Sequence, residues 1–332
     1  MRSTLSTLFA VLASAIMFSG PSGLLFASNS NHTTQPENSR YQEIKVDEPY
    51  RSRLFQVEGT PNITVNTISG DIEVFRNPDL NGVQVDLYVN RSFSLWSGTR
   101  SLDDFRIILN QHGDRIVASV EERRTGRRTR GADVQFHFVV QVPEKASTNL
   151  KTVHGNIELH DIDGNHYLQN QVGDLFVSHV NGDIRALSTD GNIEMSDIYG
   201  SSFAKTVRGD ILAFRNTGEI RVRTVSGNII SERTSGTLIS ATTNGSITAD
   251  FVNVDRGIFM ETISGNITLK VPERYGYDIE SEGMRFDFAG IDQSLISELS
   301  QSRRQSTLIV GDGGFPVQLS TVTGLVKIST TE

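Results

Sequence analysis

Apolar residues recur along the centre of the chain at a spacing that fits short strands joined by tight turns. Glycine stands at every ninth position from Gly155 to Gly245, and an aliphatic residue follows two positions later in nine of these eleven units. A second small or apolar position lies four after the glycine, as at Leu159, Val177 and Met195. A third lies seven after it, at Ile162, Val180, Ile198, Val207 and Val225. Alternating inward apolar and outward polar positions is strand periodicity. The Asn or Asp that usually follows the glycine marks a turn, because glycine reaches positive φ cheaply and Asn or Asp can hydrogen-bond its own backbone there.

The period is better read as eighteen than nine. Three residues before alternate glycines stand Thr152, Asn170, Ser188, Thr206, Thr224 and Thr242, whereas the intervening set carries Asp161, His179, Asp197, Arg215 and Arg233. Two distinct half-turns therefore alternate. An eighteen-residue rung can hold two short strands and two corners, with Ile, Leu and Val stacking from rung to rung. At about 4.8 Å per rung, six rungs would span about 29 Å. No rung buries its core alone, so stability accumulates through neighbours and the ends need caps.

The chain as a whole is expected to be all-β, a single mostly parallel β-solenoid of β-helix type with about 18 residues per rung in its central region. The regular solenoid is expected over residues 151–271. An N-terminal β region or cap continuous with it is expected over 43–150, and a C-terminal β region and cap over 272–332. Strands are expected at 54–57, 62–75, 83–89, 106–109, 115–120 and 134–142. After Gly245 the spacing slips: Val254 takes the expected glycine position and the phrase returns at Gly265. Residues 293–306 read as an exposed polar loop, and 307–310, 315–320 and 325–329 as strands closing the core.

Met1 and Arg2 precede an apolar run over residues 5–18, which reads as a secretory signal cleaved near Ala27, followed by a polar linker at 28–42. An exported location follows, in the periplasm, at the cell surface or outside the cell. The chain of 332 residues has no cysteine, which excludes disulfides, a lipobox and thiol chemistry. A net charge of −8 and a pI near 5.4 disfavour nucleic acid as a partner. No apolar segment predicts a transmembrane span in the mature chain. The arginines of residues 121–131 read as a solvated loop.

Candidate chemistry is sparse. Asp161, His179 and Asp197 share one phase and could form a polar patch, but corner chemistry explains them more simply than a carboxylate pair for glycoside hydrolysis. Asn156, Asp174, Asn192, Asp210 and Asn228 recur every eighteen residues, yet one carboxylate per corner is too few for a calcium cage, and turn hydrogen bonds explain them. His154, His160, His166 and His179 form no metal-binding phrase and read as solvent-facing. Ser69, Ser226 and Ser264 recur before glycines and read as architectural. No catalytic, cofactor-binding or metal-ligating residue is assigned, and no cofactor is expected.

The phrases Thr67-Ile68-Ser69-Gly70-Asp71-Ile72, Thr152-Val153-His154-Gly155-Asn156-Ile157, Thr224-Val225-Ser226-Gly227-Asn228-Ile229 and Thr262-Ile263-Ser264-Gly265-Asn266-Ile267 resemble a bacterial family of β-strand-repeat proteins. It goes by the name "putative adhesin", or domain-of-unknown-function 4097. Val139-Val140-Gln141-Val142-Pro143 and the glycine-rich segment from Val310 to Gly314 are similar to it too, and the resemblance spans residues 44–330. It implies a parallel solenoid-like fold and supplies no catalytic residues. The function expected is that of a non-enzymatic envelope or surface protein, adhesive or scaffolding through outward Thr, Ser, Asn and Asp ladders. Its partner would be an envelope, glycan or protein ligand, with edge-mediated association where sheet edges are exposed. The alternatives are a carbohydrate-active solenoid enzyme and a calcium-stabilised repeat module.

Overall fold

The computed structural model describes residues 48–91, 101–123 and 134–331. The expected signal at 1–27, the linker at 28–42 and residues 124–131 of the arginine loop lie outside the described residues.

The eighteen-residue period is realised as parallel pairing. His166–Gln169, Ile184–Leu187, Ser202–Lys205 and Thr217–Arg223 lie side by side, with His166 opposite Ile184, Ile184 opposite Ser202 and Ser202 opposite Ile220. These strands form a first face. Ile157–His160, Leu175–Asn181, Ile193–Tyr199 and Ile211–Phe214 form a second, in the same register. Like residues therefore stack: Ile193, Ile211, Ile229 and Ile247 make one column, all fully buried. β-Branched side chains suit such columns because each packs against its copy in the next strand.

The slip after Gly245 has a local cause. Val254 does stand opposite Gly236, at a spacing of eighteen, but Leu238 pairs with Ile258 at a spacing of twenty. Two extra residues between Val254 and Ile258 are absorbed as a bulge within the strand Ile247–Ser264. From there the new register holds, with Ile247 opposite Ile267.

The all-β expectation is met, but the chain is not one repeating parallel coil throughout. At the C-terminal end the rung made by Phe315–Thr321 and Leu325–Thr331 pairs on one side with Ile247–Ser264 and Ile267–Pro272. On its other side it pairs with the earlier segments Tyr277–Glu282 and Arg285–Gly290. The last rung in sequence is thus the second-to-last in space. The N-terminal end repeats the arrangement. Asn62–Asn66 and Ile72–Arg76 lie between Ser147–Lys151 and Ile157–His160 on one side and Arg115–Glu122 and Val134–Val142 on the other.

Antiparallel strands finish both ends. Val83–Arg91 runs antiparallel to Val134–Val142 and to Arg51–Phe55, and Phe105–His112 folds back on Arg115–Glu122. Gln305–Val310 runs antiparallel to both Tyr277–Glu282 and Ile296–Gln301. The expected loop at 293–306 therefore contains a strand, Ile296–Gln301. Its side chains are mostly exposed, which is why the sequence there carries no apolar alternation.

Candidate functional site

The outward Thr and Asn/Asp ladders expected to meet a ligand are consumed by the architecture. Thr152, Thr206, Thr224, Thr242 and Thr262 are buried, and each donates its hydroxyl to a glycine carbonyl of the preceding rung, Thr206 to Gly191 at 2.9 Å and Thr242 to Gly227 at 3.0 Å. Asn170 substitutes with its amide, while the buried Ser188 hydroxyl has no partner. In the Asn/Asp column each side-chain oxygen accepts the backbone N–H of the next rung. Asn156 accepts from Asp174 at 2.9 Å, Asp174 from Asn192 at 2.6 Å and Asp210 from Asn228 at 2.6 Å. Those oxygens serve turn hydrogen bonds rather than a calcium cage. Among the described residues no group of three or more His, Asp or Glu side chains is arranged to hold a metal ion.

Asp161, His179, Asp197, Arg215 and Arg233 do stack, at the corners, all with φ between 52° and 61°. His179 lies 3.6 Å from Asp161 and 3.7 Å from Asp197, and Arg215 clamps Asp197 with two bonds of 2.6 Å. The Arg215 guanidinium, helped by His179, holds the Asp197 carboxyl below the usual carboxylate range. A glycosidase needs one carboxyl kept protonated as an acid. Here the environment acts in the opposite direction.

One arrangement was not anticipated from sequence. On the second face Ser178 Oγ lies 2.6 Å from His160 Nδ1, and Glu158 lies 3.6 Å from His160 Nε2. The latter distance exceeds a hydrogen bond. The three side chains come from the outer surface of adjacent strands, where the neighbouring N–H groups are committed to sheet pairing rather than aimed at an oxyanion.

His154 and His179 are exposed, as expected, but His166 is buried. It occupies the inward column of Ile184 and Ile220, with Nδ1 2.9 Å from the Thr148 hydroxyl and Nε2 3.2 Å from the Ile162 carbonyl. Burial pushes its pKa down to about 4. The unfolded chain takes up that proton near pH 6.5, so the fold is fully favoured above 6.5 and loses stability as pH falls toward 4. At 1.36 kcal/mol per pKa unit the loss amounts to about 3 kcal/mol. Urea unfolding at pH 7 and pH 4.5 is expected to show a smaller acid-induced drop for His166→Leu than for the native chain. Equal drops would mean that His166 is not the group responsible.

The outward side of the first face has a different composition from the ladders. Reading across neighbouring strands gives Tyr167, Arg185, Phe203, Arg221, Ile239 and Phe259, and the next outward row includes Lys151, Lys205 and Arg223. Arg185 stands 4.6 Å over the Phe203 ring and Lys151 5.2 Å over Tyr167. Two grooves open onto this face, one of about 510 Å³ beside Tyr167, Arg185 and Phe203, the other of about 590 Å³ beside Arg223, Phe259 and Glu280. Aromatic rings and guanidinium groups held by paired strands offer large contact area with little side-chain entropy to lose.

No curated protein matches the chain. Solved structures similar to it include a "putative adhesin" from Bacteroides fragilis, at 12% identity over 68% of this chain and 96% of that one, with a TM-score of 0.38. A "putative lipid binding protein" from Parabacteroides distasonis is 13% identical over 85% of this chain and 97% of its own, TM-score 0.40. A "putative adhesin" from the same organism is 16% identical over 66% and 98%, TM-score 0.32. The family model described as Toastrack DUF4097 matches residues 137–328, more than half of the sequence and all of the central eighteen-residue repeat, and the chain belongs to that family.

Proposed function

We propose that the protein is a non-enzymatic, exported envelope or surface protein that adheres or scaffolds through the outer side of its first face. The aromatic and cationic row Tyr167, Arg185, Phe203 and Arg221 carries this reading. The Thr and Asn/Asp ladders are already bonded within the stack, whereas this row presents aromatic and cationic side chains outward across neighbouring strands. Export rests on the apolar run at residues 5–18. Among the described residues no helix is long and apolar enough to cross a membrane.

The test is binding of the mature protein to a panel of envelope glycans, lipid vesicles, matrix proteins and the protein itself, with and without a calcium chelator. Saturable binding to a member of the panel is expected, unchanged by chelator and weakened at least about tenfold in Arg185→Ala/Phe203→Ala. Panel binding that is identical in the native and doubly substituted protein would remove the first face from the mechanism.

A further inference from the structure

We infer that the first face is self-complementary and that its partner is a second copy of this chain, the two related by a two-fold axis. This rests on the reading of that face as the contact surface and names what it contacts.

Continued toward the C-terminal end, the outward row runs Ile239, Phe259, Gln318, Glu280 and Thr307. The neighbouring row runs Ala241, Glu261, Ser320 and Glu282. Along these two rows the face changes sign, from basic at Arg185, Lys205, Arg221 and Arg223 to acidic at Glu261, Glu280 and Glu282; Asp183 and Glu219 also lie at the basic end, where Glu219 pairs with Arg221. Ile239 is the fifth of the nine positions from Tyr167 to Thr307 and so centres the stretch that carries the aromatic and charged side chains; the row itself continues through Asn149 and Thr64 at one end and Ser300 at the other.

Two such faces brought together about a two-fold axis along the strand direction, through Ile239, keep each row opposite itself and reverse its order. Ile239 then meets its own copy. Arg223 meets Glu261, Arg185 meets Glu280 and Arg221 meets the ring of Phe259. An isologous contact requires this kind of pairing, residue i with j and j with i. The partly buried apolar centre at Ile239 and Phe259 is flanked by exposed charges of opposite sign on the two sides. Arg223, Lys205, Glu261 and Glu280 form no ion pair within the described residues, so their charges are available to a partner. Nine strands at about 4.8 Å spacing and four to five residues of width give about 1,200 Å² of surface buried in total, the lower end of stable protein interfaces.

The experiment is sedimentation equilibrium of the native chain and charge-reversed variants over an about hundred-fold concentration range, with melting curves confirming that each variant folds. A monomer–dimer equilibrium is expected, weakened by salt. Arg223→Glu and Glu261→Arg are each expected to weaken it at least about tenfold, since each places like charges together twice per dimer. The double variant Arg223→Glu/Glu261→Arg restores the pairing in reversed sense and is expected to recover association to within about threefold of native. A native chain that stays monomeric, or a double variant no better than the singles, overturns the inference. Should the chain stay monomeric while panel binding still depends on Arg185 and Phe203, the contact-surface reading survives without the self-pairing. Should it dimerise while panel binding, self-binding included, ignores those two residues, that reading fails separately.

Discussion

Removing residues 315–331 is expected to abolish cooperative folding of the C-terminal half of the stack rather than to fray its end. In a simple coil the final rung contacts one neighbour, and its loss exposes a new but intact edge. Here the final rung lies between two others. Val317 pairs with Ile258 on one side and Ile279 on the other, and Val326 with Ile267 and Phe286. Val317, Leu319, Val326 and Ile328 are all buried. At about 1.5–3 kcal/mol for each fully buried aliphatic side chain, their loss removes about 6–12 kcal/mol, comparable to the whole stability of an ordinary domain. Deletion also leaves unpaired strand edges facing an empty slot, a template for aggregation. Circular dichroism melting should show a lost or strongly broadened transition. A synthetic peptide of residues 315–331 added in trans should restore it, because the slot is lined on both sides. A truncated chain that melts cooperatively within a few degrees of the intact one would show that the intercalated rung is dispensable.

That arrangement was not legible in the sequence, and the reason is geometric. Periodicity reports which residues form a rung, and the phrases at Thr67 and Thr262 were correctly visible as rungs outside the central run. It does not report stacking order once a segment returns from an excursion. Ile63 pairs with Thr148, 85 positions away, and Ile258 with Val317, 59 away. Neither spacing is a multiple of eighteen. The central run, by contrast, was legible almost residue by residue, because a constant register converts spatial columns into a sequence period.

Treating the unit as nine residues does mislead at particular positions. Seven after the glycine, Ile162, Val180 and Ile198 are buried, while Val207 and Val225 are exposed. The two sets belong to different half-turns, which only the eighteen-residue reading separates. His166 is the converse case. It stands two after Gly164, where nine of the eleven units carry an aliphatic residue, so its burial was signalled by its column although its polarity suggested solvent. The contact face was hidden for a related reason. Along any one strand Arg185 or Phe203 is simply an outward residue, and the charge gradient emerges only when every eighteenth residue from Tyr167 is read together and followed across the register shift at Val254.

Gly191→Ala is expected to destabilise the protein by at least about 4 kcal/mol, beyond the usual range for a single substitution, whereas Gly113→Ala should cost about 1–2 kcal/mol. Both residues have positive φ, 158° at Gly191 and 60° at Gly113. The backbones differ: Gly113 sits in the left-handed region that alanine can enter at modest cost, whereas φ at Gly191 lies in a region that is almost exclusive to glycine. The space differs as well. A Cβ at Gly191 would lie 1.8 Å from the carbonyl oxygen of Gly173 in the preceding rung, while a Cβ at Gly113 meets nothing within 4 Å. The oxygen cannot move aside, because the Gly173–Asp174 corner is tied by the Asp174 N–H to Asn156 and by the Gly173 N–H to the Asp190 carbonyl. Relief would require opening the coil against hydrogen bonds on both faces. Urea denaturation midpoints of the two variants, compared with the native chain, check this. Equal midpoints would show that neither the backbone conformation at Gly191 nor its approach to Gly173 limits the stack; a far lower midpoint for Gly191→Ala is the expected result of the two acting together.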